Sequence, residues 1–389
     1  MATTTTELPL EIIELIIDRL SEDRDALETC SLVALNWVRC TRSYLFSTAV
    51  LENTHSIPTL AELLESPLST IVHAIRYLSI EVSFRCHFNR EQANDYAPYL
   101  AAISTRLPSL ESLEFVQHSL GVRSNRLSSE VTQIFLPPWS CFQSIRTLVF
   151  RSVETSPHLL GFISSFPNLR ALEMNGVQSS LTSPGEQLLH IPPPNMLQNV
   201  RLSRCAAEEV LDWLLSYASS SSTKLSTSML QLGGISDQQI TSIAKYLTAC
   251  GPILQHLSLS FRLSDRDFLS LDFCHNVSLR YLRLEPDLYF EVVSQLLCSI
   301  ASTALEQIEL VMPARGRLAR LYLHDEKSWA KADRFLVGQE SDNGLSIRVQ
   351  LHRAIDEETI RAYLPLCTAR GLISYVYKPV FYTGTYFSS

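Results

Sequence analysis

Apolar residues recur along most of this chain in one short pattern, LxxLxL with apolar substitutes. It reads Ile75-Leu78-Ile80, Leu110-Leu113-Phe115, Ile145-Leu148-Phe150, Leu169-Leu172-Met174 and Leu197-Val200-Leu202. A degraded copy surrounds Leu230 and Leu232, and three cleaner ones follow at Leu254-Leu257-Leu259, Leu279-Leu282-Leu284 and Leu305-Ile308-Leu310. Alternation at the end of each copy is the period of a strand with one buried face. Between copies, Ser156–Phe166, Ala207–Tyr217, Asp237–Cys250 and Tyr289–Ile300 carry apolar residues at helical spacing. Ser236 is placed to cap one of these helices and Gly251-Pro252 to stop it. A strand, a turn and a helix cannot bury an apolar face alone, so successive units must stack. The pattern predicts an α/β fold over residues 53–373: an open, curved solenoid with parallel strands and flanking helices.

Less regular segments fill in the same grammar. Arg90–Arg106 and Ser328–Leu336 read as helices, Gly338–Gly344 as a polar turn, and Leu345–Leu351 as a strand. Asp356–Leu364 is again helical, Gly371 is a stop, and Leu372–Tyr377 returns to a strand. The Ser- and Pro-rich stretches Gly121–Ser129 and Gln178–Pro194 read as loops, and Ser216–Thr227 as a mobile insertion. Residues 374–389 concentrate Tyr375, Tyr377, Phe381, Tyr382, Tyr386 and Phe387. These aromatics either cap the open end of the stack or meet a partner.

The N-terminus follows a different pattern. After residues 1–6, expected to be flexible, Ile12, Ile13, Ile16, Ile17 and Leu20 form a helical stripe that Pro9 and Leu10 extend. Pro9 suits the first helical turn, whose N–H has no intrahelical partner. Leu15 falls on the far arc, among Glu11, Glu14 and Asp18, so this short helix has two surfaces to cover. Helical stretches at Asp25–Val33 and Leu35–Phe46 follow almost without a break. Three such helices bury little core alone and are expected to dock on something.

The pairing of LPxEII at the start with a later LVxxxW (Leu32, Val33, Trp37) resembles an F-box over residues 7–52. Where many F-boxes carry Cys after the Leu-Val pair, this chain has Ala34. The repeats resemble degenerate leucine-rich repeats, as in the arrays of fungal F-box proteins, although only Cys205 matches the Asn/Cys slot of that repeat. The resemblance implies a substrate receptor of a Skp–cullin–F-box ubiquitin ligase. Leu8, Pro9, Ile12, Ile13, Ile16, Leu32, Val33 and Trp37 would then meet the Skp-type adaptor, and through it a cullin, while some of them fill the module's own core. The other reading is an interaction scaffold whose helical start is only an end cap, its stripe packed on the first repeats.

Composition narrows the choice. Hydrophobic residues make up 46% and charged residues 19% of 389, the range of folded globular proteins. A net charge of -8, with no Lys/Arg block, argues against nucleic acid or an anionic membrane as partner. No apolar run is long enough to span a membrane, and MATTTTELPLE has no secretory character. Nine scattered cysteines without CxxC spacing fit reduced thiols in a cytoplasmic or nuclear protein, which makes the sequon at Asn276 accidental. Cys86 and His87 lack partners at ligand spacing, so no metal is expected. No GxSxG, HExxH, GxGxxG or phosphate-loop motif occurs, and neither enzymatic activity nor a cofactor is expected.

Residues flanking the repeat's apolar positions point to the open strand face. Arg151, Glu173, Arg201, His256, Tyr281, Arg283 and Glu309 are therefore the candidates for contact with a protein substrate. Arg151, Arg201 and Arg283 make either a basic stripe for an acidic or phosphorylated segment or part of an ordinary mixed-charge surface.

Overall fold

The computed structural model describes residues 8–52, 56–67, 69–83, 90–118, 143–153, 157–177, 192–220, 225–261, 271–286, 290–312, 326–351 and 357–377. The chain divides into two compact units, Met1–Met196 and Leu197–Ser389.

The first unit opens with three helices, α1 (Leu10–Arg19), α2 (Arg24–Cys30) and α3 (Leu35–Leu45). Pro9 stands just before α1, where its carbonyl accepts from Ile13 N at 3.2 Å. Asp23 caps α2, its Oδ1 accepting from Ala26 N at 3.0 Å. Then follow β1 (Thr48–Leu51), α4 (Ser56–Glu65), β2 (Tyr77–Ser83), α5 (Arg90–Arg106), β3 (Ser112–His118), β4 (Thr147–Arg151), α6 (Pro157–Ser164) and β5 (Ala171–Asn175). Each strand pairs in parallel with the next, and the register keeps the repeat's last apolar positions in one row: Leu51, Ile80, Phe115, Phe150, Met174. All five are buried. Phe115 stacks on Phe150 with centroids 5.6 Å apart, and Phe162 of α6 meets Phe115 edge-on at 5.5 Å. Burying rings of that size stabilises the unit by roughly 1.5–3 kcal/mol each.

The first strand comes earlier than the sequence pattern places it. β1 lies inside the 7–52 span assigned to the helical module, and α4 was not expected at all. Four residues with one buried apolar end, Leu51, are too few to show alternation; pairing with β2 makes this a strand.

The second unit contains β6 (Asn199–Ser203), α7 (Ala207–Ser220), β7 (Met229–Ile235), a 3-10 turn at Asp237–Gln239, α8 (Ile240–Cys250), β8 (His256–Phe261) and β9 (Tyr281–Pro286). It continues with α9 (Phe290–Cys298), β10 (Gln307–Val311), α10 (Glu326–Asn343), β11 (Ser346–Leu351), α11 (Glu357–Tyr363), α12 (Pro365–Ala369) and β12 (Ile373–Tyr377). Its strands are again parallel, with Leu202, Leu232, Leu259, Leu284, Leu310, Val349 and Tyr375 in one row. Thus the α/β class, parallel strands and flanking helices hold in both units.

A shared turn leaves the strands. Ser152, Gly176 and Arg204, each the first residue beyond its strand, and Gly234, at the irregularity just before the last residue of β7, all have positive φ, between 50° and 70°. Two of the four positions carry a side chain there, which costs roughly 1–2 kcal/mol relative to glycine.

Two sequence expectations are corrected. The polar turn at Gly338–Gly344 is helix through Asn343, and Gly344, with φ of 63°, ends it. Part of the expected insertion Ser216–Thr227 is the last turn of α7, where Ser216 Oγ donates to Trp213 O at 2.8 Å. Thr227 is buried, 2.7 Å from the Tyr246 hydroxyl. Asn276 is fully buried, with Nδ2 donating to Leu247 O at 3.1 Å, so its sequon is sealed in the fold. Cys86, His87, the loop Gly121–Ser129, residues 178–191, and Phe381, Tyr382, Tyr386 and Phe387 lie outside the described residues.

Candidate functional site

The structure divides the N-terminal apolar residues into two sets. Ile13, Ile17 and Leu27 form a buried core, closed by Leu20, Cys30, Trp37, Cys40, Tyr44 and Leu45. Tyr44 Oη donates to Asp18 Oδ1 at 3.0 Å, which fixes α3 against α1. Arg42 Nη1 donates to Thr70 Oγ1 at 2.7 Å, and Arg76 N and Tyr77 N donate to Ser47 O, so the module is tied to the first strands.

Outside that core, large apolar side chains face solvent. On α1 and the residue pair before it they are Leu8, Ile12 and Leu15, at spacings of four and three, opposite Ile13, Ile17 and Leu20. Around the α2–α3 junction they are Leu32, Val33 and Leu35, which are 86%, 64% and 88% exposed. Covering a side chain of this size is worth roughly 1.5–3 kcal/mol, a large gain left unrealised in the isolated chain.

Of the eight residues expected to meet an adaptor, Leu8, Pro9, Ile12, Leu32 and Val33 are exposed. Ile16 is half-buried, while Ile13 and Trp37 belong to the core. Leu10, Leu15 and Leu35 are exposed without having been candidates. Leu15 carried a signal in its position off the main stripe; Leu35 carried none beyond lying at the start of a helix.

On the open strand face, charge is organised in two clusters. In the first unit, Tyr77 Oη and Arg151 Nε donate to the carboxylate of Glu114, and Ser79 Oγ donates to it at 3.1 Å. Burial works to raise the Glu114 pKa, but the hydrogen bonds from Tyr77, Arg151 and Ser79 outweigh it and hold it below the ordinary value. Burial, reinforced by Glu114, pushes Tyr77 up to about 12. In the second unit, Tyr281 Oη donates to Glu309, Arg283 Nη1 lies 3.2 Å from Glu309 Oε2, and Arg283 Nη2 lies 3.3 Å from Glu285 Oε2. Burial and then the bond to Glu309 push Tyr281 up to about 12 as well. The His256 ring lies 5.8 Å from that of Tyr281.

The candidates on this face are thus brought together only in part. His256, Tyr281, Arg283 and Glu309 form one cluster. Arg151 belongs to the other, with Glu173 on the adjoining strand. Arg201 and Arg283 share a register row but are three strands apart, about 14 Å at the usual strand spacing. Arg151 in the first unit and Arg283 in the second are each paired with a glutamate, so the strand face of each unit is mixed in charge at these positions. Tyr77 and Glu114 were not candidates, although both sit at the flanking positions of the first two repeats.

Cys205, the single match to the Asn/Cys slot of the repeat, accepts at its carbonyl from Gln239 Nε2 at 2.8 Å. Burial pushes its thiol up to about 12, the behaviour of a packed and unreactive side chain. Among the described residues no helix is long and apolar enough to cross a membrane, and no cluster of His, Cys, Asp and Glu is placed to hold a metal ion.

No family model and no curated protein matches this chain. Among solved structures it is similar to one described as the crystal structure of the Rad7 and Elc1 complex in yeast, at 13% identity and a TM-score of 0.36. That match covers 94% of this chain and 92% of the other. A likeness this distant bears on neither partner nor activity.

Proposed function

We propose that this chain is the substrate-recognition subunit of a Skp–cullin–F-box-type ubiquitin ligase, working in the cytoplasm or nucleus. The N-terminal helices hold a Skp-type adaptor and, through it, a cullin; the strand arrays hold a protein substrate. The chain does no bond chemistry itself. Its contribution is to raise the effective concentration of a substrate lysine at the conjugating enzyme.

The observation that carries this reading is the exposure of Leu8, Ile12, Leu15, Leu32, Val33 and Leu35 outside a module that already has its own core. An end cap on a free-standing scaffold has no use for that surface and would turn it toward the first strands. The fixed residues of LPxEII and LVxxxW supply four of these six positions, Leu8, Ile12, Leu32 and Val33, which ties the surface to the resemblance.

Co-purification of the full chain with a Skp-type adaptor tests the proposal. Ile12→Asp and Leu32→Asp should each abolish stable binding while circular dichroism and the melting transition stay as in the parent. Ile13→Asp should instead unfold the helical module, because it puts a charge into the core. A well-folded parent that ignores the adaptor removes the proposal and leaves the scaffold.

A further inference from the structure

The residues immediately before the strands of the first unit line an open groove whose charge is not balanced. Arg76, Glu111, Arg146 and Arg170 precede β2, β3, β4 and β5, and all four are exposed. The backbone fixes their spacing. Glu111 N and Ser112 N donate to Arg76 O, Arg146 N and Thr147 N to Glu111 O, and Arg170 N and Ala171 N to Arg146 O, all between 2.8 and 3.0 Å. Each residue is therefore one strand, about 4.8 Å, from the next.

Arg146 and Arg170 are consequently like charges on neighbouring strands, an arrangement that destabilises a sheet unless something offsets it. Neither they nor Arg76 forms an ion pair among the described residues. The corresponding row of the second unit shows the balanced alternative. There Arg280 and Glu306, also adjacent and also just before their strands, form a two-nitrogen ion pair, with Nε 2.9 Å from Oε1. The rest of the groove is largely polar, and its polar side chains are partly engaged: the Asn168 amide donates through Nδ2 to Gln143 O and the Ser144 hydroxyl to Leu110 O.

We infer that this groove is a docking site for an acidic, extended polypeptide segment lying across the strand starts. One oxyanion sits between Arg146 and Arg170, whose guanidinium forks match carboxylate or phosphate-ester oxygens. A second sits at Arg76, about two and a half strand spacings or about 12 Å from the first, the distance covered by four residues of an extended chain, whose side chains then share a face. Glu111 lies between them, so the intervening residue of the segment is neutral or basic. The chain's net charge of -8 disfavours a long nucleic acid, whereas a short peptide meets only this local field. The inference is independent of adaptor binding, since the two surfaces share no residue.

Fluorescence anisotropy on the full chain tests it. The probes are labelled alanine-rich peptides with glutamates at positions i and i+4, the same peptide with phosphoserine for one glutamate, and an all-alanine control. Both acidic peptides should bind and the control should not; the ratio of the two affinities tells which oxyanion source the pair prefers. Arg146→Gln and Arg170→Gln should each weaken binding about tenfold, roughly one charge-assisted contact. Glu111→Gln should tighten it, and Arg280→Gln should leave it unchanged. Equal binding of the alanine control, or no loss in the Arg146→Gln/Arg170→Gln double variant, overturns the site. So does inorganic phosphate competing as well as peptide (an adventitious ion only), or single-stranded RNA binding more tightly than either peptide.

Discussion

Tyr77 and Tyr281 each occupy the first position of a strand and donate a hydrogen bond to a glutamate on the following strand, Glu114 and Glu309. Both phenols are pushed up to about 12, chiefly by burial, from an ordinary value near 10. Tyr246, enclosed in the second unit against Thr227, is driven higher still by burial. A raised folded-state pKa means that the fold favours the protonated form. The stability these groups confer is complete below pH about 10 and is lost as pH rises through about 12. Spectrophotometric titration of tyrosinate should show a late set of phenols ionising only as the alkaline unfolding transition begins. Tyr77→Phe and Tyr281→Phe should each remove one late phenol. A single wave near pH 10 in a chain that circular dichroism shows still folded would contradict these environments. Glu114 has the opposite sign: its lowered pKa gives stability that is present at neutral pH and lost on acidification.

At the level of elements, the strands were the most legible part of the sequence. A half-buried strand writes its two faces directly into alternate residues, so the order of residues alone marks the rows through Leu78, Leu148 and Leu282. Helix α1 was less legible because both its faces are apolar. Period 3.6 marks the stripe, but nothing in it says that Ile13 packs on Leu27 while Ile12 faces outward. β1 was invisible for lack of length, and the pairing of Arg151 and Arg283 with glutamates depends on which strands become neighbours. Gly251 shows a third kind of gap. Its place before Pro252 marks the end of α8 for conformational reasons, but packing also requires it: a Cβ there would lie 2.4 Å from the His275 carbonyl oxygen. Because that oxygen belongs to the backbone, relief means moving the turn. Gly251→Ala should cost about 1–3 kcal/mol in chemical denaturation. A loss of a few tenths would show that the turn yields freely.

At the scale of the molecule, each unit is a stack in which a strand pairs only with its immediate neighbours, so stability should be transmitted from repeat to repeat. Asp333 in the second unit offers a clean perturbation. It lies on α10, is 1% exposed, and reaches α12 with both carboxylate oxygens: Oδ2 accepts from Leu366 N at 2.8 Å and Oδ1 from Cys367 N at 2.9 Å. These are donors at the start of a helix, which have no partner within it. Asp333→Ala strands both in a buried place, at a cost of about 2–4 kcal/mol. If coupling runs only between neighbours, amide hydrogen exchange in that variant should accelerate in α12, β12 and β11 and fade toward β9. β6 and β7 should keep their parent protection. Acceleration shared equally by β6 through β12 would mean that the seven strands open as one cooperative body, and the nearest-neighbour account of this unit would have to be given up.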